Sequence, residues 1–127
     1  MRPKVLIVDD EVLMRLLYKN AVEKAGYELL TASTAEEGLA IAQAEKPAVI
    51  VLDIMMPGKD GLAALRELKA REETKWIPVI VFTASTSEAH HATRQEATAS
   101  GASAFVTKPI GPDQLVAEIK WQAPIPG

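Results

Sequence analysis

Short apolar runs alternate along this chain with longer stretches of helical periodicity. The runs are KVLIV (4–8), YELLTA (27–32), AVIVLD (48–53), IPVIVFT (77–83) and SAFVT (103–107). Most contain β-branched residues, and several are apolar on both faces, as strands of a parallel sheet covered on two sides are. Between them, Val12, Leu13, Leu16, Leu17 and Val22 are expected to form the buried stripe of a first helix, which Gly26 caps. Thr34 with Glu37 has the spacing of a capping box and opens a second helix. Asp60 is placed to cap a third, carrying Leu62, Leu65 and Leu68. A fourth is expected over 86–100, ending at Gly101, and a fifth from Pro112 through Leu115, Val116 and Ile119 until Pro124 stops it. Five βα units in succession predict one α/β domain with a single doubly wound parallel sheet, expected over 1–123, with 124–127 as a tail or the start of a linker.

Composition narrows the class without changing this picture. The 127 residues suit one domain, 48% hydrophobic and 24% charged. A net charge of −3 leaves no basic footprint for nucleic acid or an anionic membrane. There is no cysteine, which excludes disulfide and thiolate chemistry and points to the cytoplasm. No apolar run reaches the length of a membrane span.

The polar residues that end the strands carry the chemistry. The first strand runs into Asp9, Asp10 and Glu11, the third ends at Asp53, the fourth at Thr83, and the fifth at Thr107 followed by Lys108. All carboxyl ends of a parallel sheet lie on one edge, where open α/β folds bind ligands. Singly, each residue has an ordinary structural explanation: a helix cap, a turn bond, a solvated lysine. Together they bring acids, a hydroxyl and an amine to one rim. If the first and third strands are neighbours, ~4.8 Å apart, Asp9, Asp10 and Asp53 repel by ~3 kcal/mol per pair, about 10 kcal/mol in all at an effective dielectric of ~20. One lysine does not offset that. A divalent cation does, and an all-oxygen set suits Mg²⁺. Beside such a cation, a carboxylate is a competent nucleophile toward phosphorus when an ammonium and a hydroxyl share the phosphoryl charge. The chemistry expected is phosphoryl transfer onto Asp53, with Thr83 and Lys108 assisting.

The motifs VLIVDDE (5–11), VLDIMMPGKDG (51–61), VFTAS (81–85) and FVTKP (105–109) resemble those of receiver domains of two-component response regulators, over about residues 3–122. That resemblance implies a flavodoxin-like sheet of order 2-1-3-4-5. It implies Asp53 as phosphoacceptor and Mg²⁺ held by Asp10, Asp53 and the backbone carbonyl of Met55, with Asp9 reaching it through water. Thr83 and Lys108 would hold the phosphoryl group, Phe105 would be the switch aromatic, and Lys108–Pro109 would be a cis peptide. The implied donor is a histidine kinase or histidine phosphotransfer protein, and the readout a surface formed by the fourth helix, fifth strand and fifth helix. On this reading the domain is a switch catalysing only its own phosphorylation and dephosphorylation, monomeric or a weak phosphorylation-dependent dimer, with no direct contact to nucleic acid or membrane. The stretch between Thr83 and Phe105 is longer than usual in such domains, and Phe105 lacks the hydroxyl of a tyrosine at that place.

Other classes fit less well. A haloacid-dehalogenase-type phosphatase needs a second acid two residues after its nucleophile, where this chain has Met55. A flavodoxin-like FMN site needs a hydroxyl- and glycine-rich loop where Asp9, Asp10 and Glu11 stand. A folded but unphosphorylated docking module would not need the full acid set. His90 and His91 lack the spacing of a helical metal pair and are expected at the surface. The segment 86–100 has only alanines as apolar residues, so the fourth helix is expected to be the least firmly docked. Trp76 and Trp121 are expected in edge packing, Trp121 with some prospect of facing a partner.

Overall fold

The computed structural model describes residues 2–54, 61–83, 94–107 and 110–125, the Thr83 side chain excepted. Its elements are β1 (Lys4–Val8), α1 (Val12–Lys24), β2 (Glu28–Ala32), α2 (Ala35–Glu45), β3 (Val49–Asp53), α3 (Gly61–Ala70), β4 (Val79–Thr83), α4 (described over 94–99), β5 (Ala104–Thr107) and α5 (Pro112–Gln122). The five strands form one parallel sheet of order β2-β1-β3-β4-β5, as expected.

The all-apolar strands are explained by two cores, one on each sheet face. Leu6, Val8, Ile50, Leu52, Val79 and Val81 pack under α2, α3 and Ala97 of α4. Val5, Ile7, Val49, Val51, Ile80 and Phe82 pack under α1 and α5. Side chains alternate across a strand, so a strand buried on both sides has no position left for a polar residue until it reaches the rim.

Helix ends follow their local chemistry. The Thr34 hydroxyl accepts the Glu37 N–H at 3.1 Å, and the Glu37 carboxylate accepts the Ser33 N–H at 3.2 Å. After α1, Gly26 takes φ +104, and the N–H groups of Gly26 and Tyr27 turn back to the carbonyls of Glu23 and Val22. Gly101 has φ +105 and closes α4. The Asp60 cap, His90, His91 and residues 86–93 of the expected fourth helix lie outside the described residues.

Two expectations are corrected. The stripe assigned to the core side of α1 is largely on the outside: Val12, Leu13, Leu16 and Leu17 are all exposed, Leu13 by 79%. The core line of α1 runs instead through half-buried Met14, buried Tyr18 and Val22, and half-buried Ala25. These sit at four- and three-residue spacing, whereas Leu16 is about 200° round the helix from Tyr18 at ~100° per residue. The tryptophans are likewise outside: Trp121 is 81% exposed, and Trp76 is exposed with its indole N–H on the Glu73 carbonyl at 2.9 Å. The neighbouring turn is held from within by other groups, the buried Thr74 hydroxyl on the Leu68 carbonyl and the Lys69 ammonium on the carbonyls of Lys75 and Ile77.

At the opposite end of the sheet from the acids, the buried Tyr27 hydroxyl donates to the Ala123 carbonyl at 2.6 Å, and Ile125 lies against Gly26. Burial pushes the Tyr27 phenol above its ordinary pKa of 10.0. The unfolded chain then releases this proton at a pH where the folded chain keeps it. Tyr27 therefore supports the fold fully below about pH 10, and this support declines as pH rises beyond. Chemical denaturation across the alkaline range should show stability falling above about pH 10. A Tyr27→Phe protein, though less stable at neutral pH, should lose less over the same interval.

Candidate functional site

The sheet order decides which strand ends meet. β1, β3, β4 and β5 are consecutive neighbours, and β2, the strand ending blandly at Ala32 and Ser33, is at the outside. The four strands with polar ends thus form one continuous rim. The chain reverses direction across the sheet between β1 and β3, the place where open α/β sheets form a crevice.

Asp9 extends β1 by one bond, its N–H donating to the Ala32 carbonyl at 3.0 Å. Its carboxylate turns back to accept the Glu11 N–H at 2.9 Å. That bond bends the chain from strand into helix and leaves Asp10 and Glu11 exposed at the start of α1. Asp53 is the last residue of β3, only 3% exposed, and pairs in register with Phe82 of β4. Asp9 is 1% exposed. Each of Asp9, Asp10, Glu11 and Asp53 offers one carboxylate oxygen, and these oxygens all lie within 4.8 Å of one another. The separation expected from adjacent strands is thus met, and Glu11, which the sequence motifs do not mark as a ligand, joins the group.

Two features make this more than an exposed acidic surface. Two of its four members are buried, where a carboxylate is costly unless it is paired or hydrogen-bonded. The donors are all oxygen and converge from two strand ends, the chemistry that hard divalent cations require. The residues present fit Mg²⁺ on both counts.

On the other side of Asp53, Thr83 pairs in register with Thr107, so the fourth and fifth strand ends are level. Phe105 pairs with Val81 and is half-buried against the core under α2 and α3. Lys108, Pro109 and Met55 lie outside the described residues, as does the Thr83 side chain.

Two residues with no polar role in the sequence patterns also shape the rim. Gly61, the first residue of α3, is so close to β3 that a Cβ there would lie 2.9 Å from the Ile54 Cβ and 3.0 Å from the Asp53 carbonyl oxygen, and would overlap the Ile54 Cα. Tyr18 of α1 is buried beneath the rim, its ring edge-on to Phe82 with centroids 5.6 Å apart. The glycine is legible in the sequence only as the last residue of VLDIMMPGKDG (51–61). The tyrosine carries no signal beyond its place directly after Leu16 and Leu17.

With this geometry in place, likeness to known proteins is informative. The profile of the family described as response regulator receiver domain matches residues 5–120. The phosphate regulon transcriptional regulatory protein PhoB of Pseudomonas aeruginosa is 40% identical over 116 residues, which are 91% of this chain and 49% of that protein. Protein PilH of the same organism is 35% identical, with 91% of this chain and 93% of PilH covered. Among solved structures, the chemotaxis response regulator CheY4 of Vibrio cholerae superimposes with a TM-score of 0.86 at 31% identity, covering 96% of this chain and 99% of that one. The chain spans about half the length of several curated relatives it matches, PhoB included.

Proposed function

Because the chain belongs to the response regulator receiver domain family, we propose that it accepts a phosphoryl group on Asp53 in an Mg²⁺-dependent reaction and signals through the change that follows. The observation that carries this is the buried Asp53 carboxylate with oxygens of Asp9, Asp10 and Glu11 inside 4.8 Å. Asp10, Asp53 and the Met55 carbonyl are the proposed direct ligands and Asp9 the water-mediated one. Bound Mg²⁺ would supply positive charge for the acid cluster and for a phosphoryl oxygen.

The protein's own groups do the rest. An Asp53 carboxylate oxygen forms a bond to phosphorus as the donor's P–N or P–O bond breaks, and the departing electron pair returns to the donor's imidazole or acyl carboxylate. Lys108 and the Thr83 hydroxyl are proposed to take the remaining phosphoryl charge. Phe105 then responds to Thr83, and the surface of α4, β5 and α5 is read by a partner. Intact-mass measurement with a small acyl phosphate tests the core of the reading. The mass of one phosphoryl group should appear with Mg²⁺ and fail to appear with excess chelator. Absence of any gain with Mg²⁺ would refute it.

The exposed α1 stripe supports a protein donor. Val12 and Leu13 follow directly on the acid cluster, and Leu16 and Leu17 continue the apolar surface one turn on. A histidine-bearing partner must bring its imidazole to Asp53, and this is apolar surface beside that point. A Leu13→Glu protein should be labelled about tenfold more slowly by a phosphorylated histidine phosphotransfer domain, relative to its labelling by the small acyl phosphate. An unchanged ratio would move the donor's footprint off α1.

A further inference from the structure

We propose that Tyr18 is a positioning residue for the phosphoryl transfer, acting through the segment that carries Lys108; this rests on the phosphoryl-acceptor reading above. Tyr18 is 1% exposed, and its hydroxyl donates to the carbonyl of Ile110 at 2.8 Å, across 92 positions of sequence. Its ring meets Phe82 edge-on, with planes at 77°. Phe82 is the register partner of Asp53 and the residue before Thr83. One side chain therefore touches three parts of the site's support. Its own helix begins at the acid cluster, its ring abuts the strand beside Asp53, and its hydroxyl holds the chain just beyond Lys108.

The consequence for Lys108 comes from chain length. Thr107 is held in β5 by its pairing with Thr83, and Ile110 packs half-buried on the core under α1 and α5. Three peptide units separate these two residues, a reach of about 11 Å at most. Holding the Ile110 carbonyl sets one of the two anchors of that span. The carbonyl precedes α5, whose first turn is organised by the Gly111 N–H on the Gln114 side chain at 3.0 Å. Packing alone would secure the ring of residue 18. A phenylalanine would keep that ring contact and omit the bond to Ile110, so the hydroxyl is the informative atom.

Tyr18→Phe isolates it. Three measurements on the full chain apply: labelling rate by acyl phosphate with Mg²⁺, the same rate in a Lys108→Ala background, and amide hydrogen exchange over 110–116 without phosphate. Labelling should slow, by up to about fivefold if the full net worth of one hydrogen bond acts on the rate. In the Lys108→Ala background the same change should have little further effect, because the residue being positioned is gone. Exchange at 110–116 should rise by a similar factor while the helix α2 amides keep theirs. An unchanged rate, or an equal slowing in both backgrounds, would overturn the proposal, the second by showing an effect not routed through Lys108. Should wild-type protein take no label at all, the phosphoryl-acceptor reading fails instead, and exchange alone decides whether the tether exists. Unchanged exchange at 110–116 would then overturn it too.

Discussion

An Asp53→Asn protein should take up no phosphoryl mass from an acyl phosphate under conditions that label the wild type. The amide keeps the shape of the side chain but offers no anionic oxygen to attack phosphorus, and on the proposed reading Asp53 is the one acceptor. The substitution has a second, opposite consequence. With the oxygens inside 4.8 Å of one another and an effective dielectric of ~20, each carboxylate pair repels by ~3 kcal/mol. Removing one of the two buried charges relieves part of this. In metal-free buffer Asp53→Asn should therefore unfold several degrees above the wild type, and added Mg²⁺ should stabilise it much less than it does the wild type. Intact mass and thermal unfolding with and without Mg²⁺ check both halves. Full labelling of the variant would remove Asp53 as acceptor. A lower melting point in metal-free buffer would show that the four acids do not strain the fold.

Gly61→Ala should be the most damaging single-methyl change near the site. The added carbon would overlap the Ile54 Cα and sit 3.0 Å from the Asp53 carbonyl oxygen. Ile54 is 6% exposed and its Cα is backbone, so no flexible side-chain tip can yield. Either α3 withdraws from the end of β3 or residues 53–54 shift. Overpacking of this kind costs about 1–3 kcal/mol, and the backbone overlap puts this case at the upper end. The thermal midpoint should drop by about 10 °C. Where residues 53–54 take up the shift, labelling should also slow when measured well below the midpoint. A midpoint close to that of the wild type would mean that the close approach of α3 and β3 is easily relaxed.

Much of the candidate site was legible because it rests on strand ends. A strand of apolar residues that terminates in a charge can place that charge at one rim only, so Asp9, Asp10 and Asp53 could be brought together from their positions alone. The α1 surface was not legible in this way. Val12, Leu13, Leu16 and Leu17 are as hydrophobic as a core stripe, and apolar character does not say which arc of a helix the sheet will cover. Tyr18 resolved that ambiguity in the structure: the ring that reaches both Phe82 and Ile110 turns the leucines outward.

By itself, then, the sequence determined the alternation of strands and helices, the caps at Thr34 and Gly26, and the residues that lie at the carboxyl edge. Each of these depends on neighbours a few positions away, through side-chain alternation, backbone conformation and local hydrogen bonds. Tertiary structure alone decided that Glu11 joins the acid cluster, that Gly61 must lack a side chain, that both tryptophans lie outside, and that Tyr18 bonds a carbonyl 92 positions away. Those outcomes depend on the distance and rotation of one packed element against another. A helix or strand pattern carries the period of its side chains but not the angle at which its partner will meet it.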